Sequence, residues 1–359
     1  MKQFLLSFIM IMCMASVAMS AWSQNLMLNQ EEPEDVIAVV GYFCKNDTMT
    51  YARTTSKYKI VEGDTTTTNY FQEEFMIVVT DSTSKGYKMK LIPLDVRFKG
   101  ADDDEDEGDN FMVKALSQTL GKIVCEFTTD ELGQVQRIDN WRTIRDEVKK
   151  GIKLMCDTLY TTDPGMDSIM PRKQLENLLQ LRFSTEQGVR ESYEELDELF
   201  GLHGSTFDVG ELETDSDDGG YPTHIRARIG YTTIEDEEND FEGDYAISTQ
   251  STATMPVEDL MDIGFGAVSL LLSDMVNDSL EVVRDQVLDS LKTAMPQGVE
   301  VKENAYFGYF INGWPKEYYY EKIVDIGAGK SVESTSMEWI SRNWDIYVRD
   351  DESAQKKDI

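Results

Sequence analysis

The longest regular pattern of apolar and polar positions lies in residues 256–295. Apolar side chains recur there at steps of three to five residues, and acidic residues fill many positions between them. This spacing keeps one face of a helix apolar and the opposite face charged. Pro256 suits the first helical position, and Pro296 ends the pattern. The pattern predicts a long amphipathic helix that packs on a sheet, and the acidic interruptions exclude a membrane-spanning segment.

Residues near the start of the chain have the pattern of β-strands. Tyr87, Met89 and Leu91 alternate with lysines, which predicts a strand with one buried and one wet face. Glycine-containing turn signals separate the neighbouring runs, so we predict an antiparallel meander. Pro93 predicts that the last strand lies at an edge or bends there. The predicted strands are 36–40, 51–61, 65–79 and 87–98.

A hairpin followed by a helix is predicted in the middle of the chain, where strands 122–127 and 134–138 precede an apolar stripe from Trp141 to Leu159. Asp139 and Asn140 are suited to cap this helix. Residues 168–201 are predicted to be helical again, with Ser184 in a capping box and Gly201 as the stop.

The last third returns to strands. Asn312-Gly313 is the residue pair preferred in a type I′ hairpin turn. The fold class that follows is α+β, an antiparallel meander (a curved sheet or half-barrel) packed against several helices, including the long one. The predicted strands are 225–234, 245–254, 304–311, 316–324 and 331–340.

The segments of the chain suggest two lobes joined by a Gly- and Asp-rich linker, although both lobes together could form one continuous domain. The predicted segments are a signal peptide at 1–23, a first lobe at 24–201, a linker at 202–220, a second lobe at 221–349 and a charged tail at 350–359.

Export is predicted from the first segment. Lys2 precedes an apolar run from Phe4 to Val17, and small residues follow, as in a secretory signal peptide. We therefore expect a soluble periplasmic or extracellular protein with no transmembrane segment in the mature chain. Cys44, Cys125 and Cys156 would remain after cleavage, and one disulfide plus one thiol or three buried thiols are both compatible with the sequence.

A formal net charge of −33 excludes nucleic acid as a partner, because phosphate binding needs basic patches. The acidic run at 101–110 could supply calcium ligands, but it lacks the spacing of a helix-loop-helix calcium loop and a solvated loop is favoured. The same holds for 213–220 and 235–244. With only His203 and His224 in the chain, we predict no metal site and no cofactor.

The candidate binding residues are aromatic. The predicted C-terminal hairpin carries tyrosines on both faces, and a face that no other element covers is open to a ligand. The predicted ligand platform consists of Tyr306, Tyr309, Trp314 and Tyr319.

The strand-turn-strand run Phe127-Thr128-Thr129-Asp130-Glu131-Leu132-Gly133-Gln134-Val135, which leads into Trp141, resembles uncharacterised exported proteins of Bacteroidota, as does the turn from Gly308 to Pro315. The strand-turn-strand-helix order is also similar to the half-barrel of bacterial lipoprotein-carrier proteins. That resemblance implies an apolar cavity between sheet and helices, and it supplies no catalytic motif.

Three functions are compatible with these observations. The favoured one is a non-enzymatic binding or interaction module of the cell envelope, with a protein, glycan or lipid partner. The first alternative is a carrier of lipid or lipoprotein acyl chains in a cavity between sheet and helices. The second is a glycoside hydrolase with paired carboxylates, although no nucleophile elbow, zinc motif or phosphate loop occurs.

Overall fold

The fold is known from a computed structural model. The structure describes residues 36–61, 63–100, 122–216, 221–232, 243–259, 292, 298–325 and 329–344. The predicted signal peptide, the charged tail, the acidic run at 101–110 and nearly all of the predicted helix at 256–295 lie outside these residues.

Antiparallel strands dominate the described residues, so the α+β prediction holds only in part. The strands are β1 (Val36–Ala38), β2 (Thr48–Val61), β3 (Asp64–Thr83), β4 (Gly86–Gly100), β5 (Cys125–Thr129), β6 (Val135–Ile138), β7 (Thr206–Asp208), β8 (Gly210–Ser216), β9 (Thr223–Tyr231), β10 (Tyr245–Met255), β11 (Val299–Tyr309), β12 (Pro315–Asp325) and β13 (Lys330–Asn343). The helices are α1 (Trp141–Thr162), α2 (Met166–Ile169), α3 (Arg172–Arg182), α4 (Glu186–Arg190) and α5 (Glu194–Phe200).

Among the described residues, eleven strands form one open, curved antiparallel sheet in the order β6-β5-β4-β3-β2-β13-β12-β11-β10-β9-β8. Pairing of β13 with β2 joins strands from the two predicted lobes into this sheet. The segment 202–220, predicted as a linker, contains β7 and β8. Its Gly and Asp content suggested a loop, but Phe207 is buried and Leu212 packs beside it.

The predicted meander is confirmed in β2, β3 and β4. Met49 and Tyr51 alternate with partly buried polar residues, as a half-buried strand requires. Pro93 lies beyond Leu91, where the pairing of β4 with β5 ends, and next to a register shift against β3. Within the described residues, no strand pairs with this part of β4 on the side away from β3, so Pro93 lies on an edge segment, as the sequence predicted.

Helices cover one half of the sheet, on the side that we call the inner face. The predicted stripe of α1 is confirmed, since Ile144, Val148, Ile152 and Met155 are buried in the first of the two hydrophobic cores that the described residues form. Asn140 occupies the N-cap position of α1 as predicted, but its side chain makes no hydrogen bond to the first turn of the helix. Its side chain instead accepts a hydrogen bond from the Glu126 N–H and donates one to the Val124 carbonyl, so it ties the hairpin to the helix.

The predicted helical segment 168–201 is broken into four short helices, α2 to α5. Thr185, and not Ser184, caps α4 by accepting a hydrogen bond from the Gly188 N–H at 3.1 Å. The breaks place short apolar faces such as Leu196 and Leu199 on the sheet at different angles, so both side chains are buried.

A second hydrophobic core lies against β9, β10 and β11. The small sheet formed by β1 and β7 packs there, with Ile37 and Phe207 buried against Ile247 and Tyr309. The inner face is therefore covered by helices over one half and by this small sheet over part of the other.

The loop between β11 and β12 differs from the predicted type I′ turn. The Gly313 N–H bonds to the Phe310 carbonyl, and the Phe310 N–H bonds to the Trp314 carbonyl at 2.9 Å. Gly313 has φ +77° and Asn312 does not have a positive φ, which is the pattern of a longer loop with one left-handed residue. A Cβ at position 313 would meet the Val40 carbonyl, so the loop requires glycine for space as well as for conformation.

His203 fixes this loop from the interior. Its Nε2 donates to the Gly313 carbonyl at 2.9 Å, and its ring packs against Phe43 and Tyr309. Burial of the ring, which is 1% exposed, lowers the pKa of His203 from 6.5 to about 4.

We expect His203 to make the fold sensitive to acid. The unfolded chain takes up a proton on this ring between pH 6.5 and 4 and the folded chain does not, so stability is lost as pH falls through that window. The full loss is about 3 kcal/mol. Urea unfolding of wild type and His203→Gln from pH 7.5 to 4 measures it. The variant should have a shallower dependence, and an identical dependence would contradict this role.

A buried ion network holds α5 on the sheet. The Arg53 guanidinium on β2 donates to both carboxylate oxygens of Glu198, at 2.7 and 2.6 Å, and also bonds to Glu73 and Glu194. Arg53 and Glu198 are each 6% exposed. Burial raises the pKa of the neighbouring Glu195 carboxyl well above its usual value, with the Glu73 charge adding to the effect.

Candidate functional site

The candidate site lies on the face of the sheet opposite the second hydrophobic core, which we call the outer face. Ala227 and Ile229 of β9 are buried, whereas Arg226 and Arg228 are exposed on the other side of the same strand. Because side chains alternate along a strand, the same division continues through the neighbouring strands. The outer face is polar where the inner face is apolar.

A groove of about 670 Å³ runs across this face, and we call it the outer groove. Its volume lies in the range that small ligands occupy. Five adjacent strands, β8 to β12, supply the outward side chains that line it: Glu211, Glu213, Arg226, Arg228, Ser248, Gln250, Asn304, Tyr306 and Tyr319.

Strand register arranges these side chains in two rows across the strands. The first row is Glu211, Arg228, Ser248, Tyr306 and Tyr319, each directly paired with the next. The pairing brings the two tyrosines side by side on adjacent strands. Side chains on directly opposed antiparallel residues are close enough to act on one ligand.

The second row begins with Glu213 and Arg226 and continues as a hydrogen-bonded ladder. Gln250 Nε2 donates to Asn304 Oδ1 at 3.0 Å, and Asn304 Nδ2 donates to Glu321 Oε2 at 3.1 Å. These bonds fix the orientation of both amides. The ladder therefore presents a defined order of donors and acceptors to a ligand.

Both tyrosines are anchored through their hydroxyl groups. Tyr306 donates to Glu317 at 3.1 Å, and Tyr319 donates to Glu321 at 3.0 Å. Burial first, and then these carboxylates, raise the pKa of each tyrosine to about 12. The phenols stay neutral at physiological pH, and the 39% exposure of Tyr319 leaves part of its side chain open to solvent.

Charges at the other end of the groove are paired. Arg226 lies 3.1 Å from Glu213, and Arg228 lies 3.7 Å from Glu211. All four side chains are more than half exposed, so each pair contributes little to stability. These groups are free to exchange their partners for a ligand at small cost.

The predicted platform is divided by the structure. Tyr306 and Tyr319 are brought together in the outer groove, whereas Tyr309 and Trp314 are buried. Tyr309 stacks on Tyr245 with ring centroids 5.2 Å apart on the inner face. Trp314 is 0% exposed, because its loop folds inward and places the ring 4.5 Å from Phe43.

The polar side chains that line the groove were not singled out from the sequence. Arg226 and Arg228 alternate with apolar residues in a predicted strand, which marks them as outward-facing. This alternation could have identified both arginines as surface residues of the sheet. The alignment of Gln250 with Asn304 depends on which strands are neighbours, and the sequence does not state this.

The other chemical predictions can be placed only within the described part of the chain. There, no group of three or more histidine, cysteine or acidic residues could hold a metal ion. Cys44, Cys125 and Cys156 are free thiols. No helix that the structure describes is long and apolar enough to cross a membrane.

The two alternative functions concern other parts of the molecule. The cavity expected beneath residues 256–295 involves residues that the structure does not describe. Glutamates do come together around Arg53, but they bind a guanidinium under α5, and Glu195 and Glu198 are buried. A carboxylate pair that faces a cleft, which glycoside hydrolysis needs, is a different arrangement.

Comparisons with known proteins identify no family. No family model matches the chain, and no curated protein matches it. Among solved structures, lipovitellin aligns at 9% identity and a TM-score of 0.35 over 85% of this chain and 26% of its own. DynF from the dynemicin biosynthesis pathway of Micromonospora chersina aligns at 6% identity and a TM-score of 0.17, with 87% of each chain covered.

A domain described as an outer membrane lipoprotein-sorting protein from Vibrio parahaemolyticus aligns at 6% identity and a TM-score of 0.15, over 85% of this chain and 88% of its own. At these scores none of the three establishes a shared fold. The case for function therefore rests on the residues of the chain itself.

Proposed function

We propose that this protein is a non-enzymatic binding module of the cell envelope that holds a neutral glycan in the outer groove. The observation that carries the proposal is the pairing of Tyr306 with Tyr319 beside a ladder of amides and arginines. Sugar rings offer an apolar face of C–H groups and a rim of hydroxyls. Tyrosine rings suit the first, and the polar ladder suits the second.

The dimensions and charges of the groove favour an extended polar ligand over an apolar one. Its two rows run across five strands, and neighbouring strands lie about 4.8 Å apart. Glu211 and Glu213 at one end, and Glu317 and Glu321 beside the two tyrosines at the other, would repel a strongly anionic ligand. The open surface would leave an acyl chain in water. A neutral oligosaccharide satisfies both conditions.

Export belongs to this proposal as a prediction from the signal sequence. An exported module would meet glycans at the cell surface or in the medium. The resemblance to exported proteins of Bacteroidota agrees with that setting, and it does not identify the sugar.

A screen of the purified protein on an array of neutral oligosaccharides tests the proposal. We expect a selected glycan to bind the wild type, and Tyr319→Ala to weaken binding at least tenfold because the stacking surface is lost. Titration calorimetry measures both affinities. Trp339→Ala is the matched control, since Trp339 is an aromatic of similar exposure (37%) outside the groove.

Equal weakening by Trp339→Ala would contradict the assignment of the site. Binding that survives both Tyr306→Ala and Tyr319→Ala would contradict it as well. Thermal melting of each variant shows whether a lost signal reflects lost folding.

A further inference from the structure

The two edge strands of the sheet differ in how well they are protected from pairing with another strand. At one end of the sheet, β6 has only four residues, and its pairing with β5 contains a register shift. A helix side chain also occupies part of this edge, since the Ile138 N–H donates a hydrogen bond to Glu186 of α4. At the other end, β8 has seven residues and pairs with β9 in unbroken register. Charged side chains, proline and bulges are the usual means of blocking a strand edge, and β8 has only the first of these, its acidic residues.

Between Gly210 and Asp215, an edge of this kind directs backbone groups away from β9, where another strand can bind them. Every second residue of an outer strand directs its N–H and C=O away from its neighbour. Within the described residues, the sheet order places β9 on one side of β8 and no strand on the other. An extended peptide could therefore continue the sheet by backbone hydrogen bonding.

The side chains of β8 indicate which peptide fits. Glu211, Glu213 and Asp215 share the outer face and are 78%, 58% and 89% exposed. Each already has a basic or histidine neighbour on β9, at 3.7, 3.1 and 2.8 Å respectively. An added strand would lie on the side of β8 away from β9, where its lysine or arginine side chains would face these three carboxylates.

We propose that β8 binds an extended peptide in which basic residues alternate with small or apolar ones, as an added antiparallel strand. The alternation follows from Leu212 and Thr214, which point to the inner face and are half-buried. A second copy of the chain fits poorly, because two antiparallel β8 strands would set carboxylates opposite carboxylates. The proposal shares Glu211 and Glu213 with the end of the outer groove, but it does not depend on Tyr306 or Tyr319.

The probe is a fluorescent seven-residue peptide in which lysine alternates with valine, titrated against the full chain by anisotropy. We expect saturable binding together with slowed amide exchange in residues 210–216. The matched control is the same peptide with N-methyl groups on alternate backbone nitrogens, which keeps every charge but removes the donors of a strand. It should bind at least tenfold more weakly.

Three results would overturn the proposal. Equal binding of the N-methylated peptide would show only attraction to an acidic protein, and unchanged exchange at 210–216 would place the peptide elsewhere. A dimer in sedimentation that is abolished by Thr214→Pro would make a second copy the occupant. Tyr319→Ala should leave the peptide affinity unchanged, so a failure of the glycan site is read separately.

Discussion

Replacing Arg53 by methionine should lower the free energy of unfolding by about 3–5 kcal/mol at pH 7. The guanidinium is the shared partner of Glu198, Glu73 and Glu194, and methionine keeps much of its length without its charge. Loss of Arg53 would leave the Glu198 carboxylate buried and unpaired. Urea unfolding followed by circular dichroism measures the change.

The pH dependence of unfolding distinguishes the effect of the unpaired Glu198 charge from the effect of lost packing in Arg53→Met. Burial already raises the pKa of Glu198 in the wild type, and removal of the guanidinium would raise that pKa further. The deficit of Arg53→Met should therefore shrink as pH falls and Glu198 takes up a proton. Adding Glu198→Gln should recover part of the loss at pH 7.

Arg137→Met provides the control, because Arg137 is 61% exposed and pairs with Asp139 on the surface. Its cost should stay below about 1 kcal/mol. A loss in Arg53→Met as small as that of the control would contradict the structural role of the network.

Trp314→Ala should lower the free energy of unfolding by about 3–5 kcal/mol, the range for truncating a large buried aromatic. Trp314 is fully buried and lies beside Phe43, with Phe310 and Tyr318 in the same core. The cavity would open where the β11–β12 loop meets the segment before β2. Thermal and urea unfolding measure the effect.

Tyr319→Ala is the matched comparison within the predicted platform. Tyr319 is 39% exposed and is held by one hydrogen bond to Glu321, so its loss should cost about 1 kcal/mol or less. The structure thus predicts a large loss of stability for one and a small loss for the other of two residues that the sequence grouped together. Similar stabilities of the two variants would contradict the assignment of Trp314 to the core.

Local patterns predicted the elements whose partners are near in sequence. The stripe of α1, the β2–β3 turn at Gly63 and the hairpins of the last third follow from periodicity and turn chemistry. Asn140 shows the limit of such rules. It occupies the N-cap position of α1, but its side chain bonds to the backbone groups of Val124 and Glu126 instead of the first turn of the helix.

The residues of the candidate site come together through strand pairing, which local sequence patterns do not reveal. Tyr306 and Tyr319 lie side by side because of the register between β11 and β12, so the structure brings together two of the four residues of the predicted platform. The burial of Trp314 is decided by Phe43, and the order β8 to β12 is decided by strand pairing. The burial of Arg53 could not be predicted from the sequence, because its partners on β3 and α5 are distant in sequence.

Hydroxyl-radical footprinting with and without the glycan selected by the array is the most direct measurement of the proposed function. Binding in the outer groove predicts protection of Tyr306 and Tyr319, with the oxidation of Tyr231 and Trp339 unchanged, since both are exposed aromatics outside the groove lining. Protection of Tyr231 or Trp339 while Tyr306 and Tyr319 stay reactive would contradict the proposal and move the binding site to another surface.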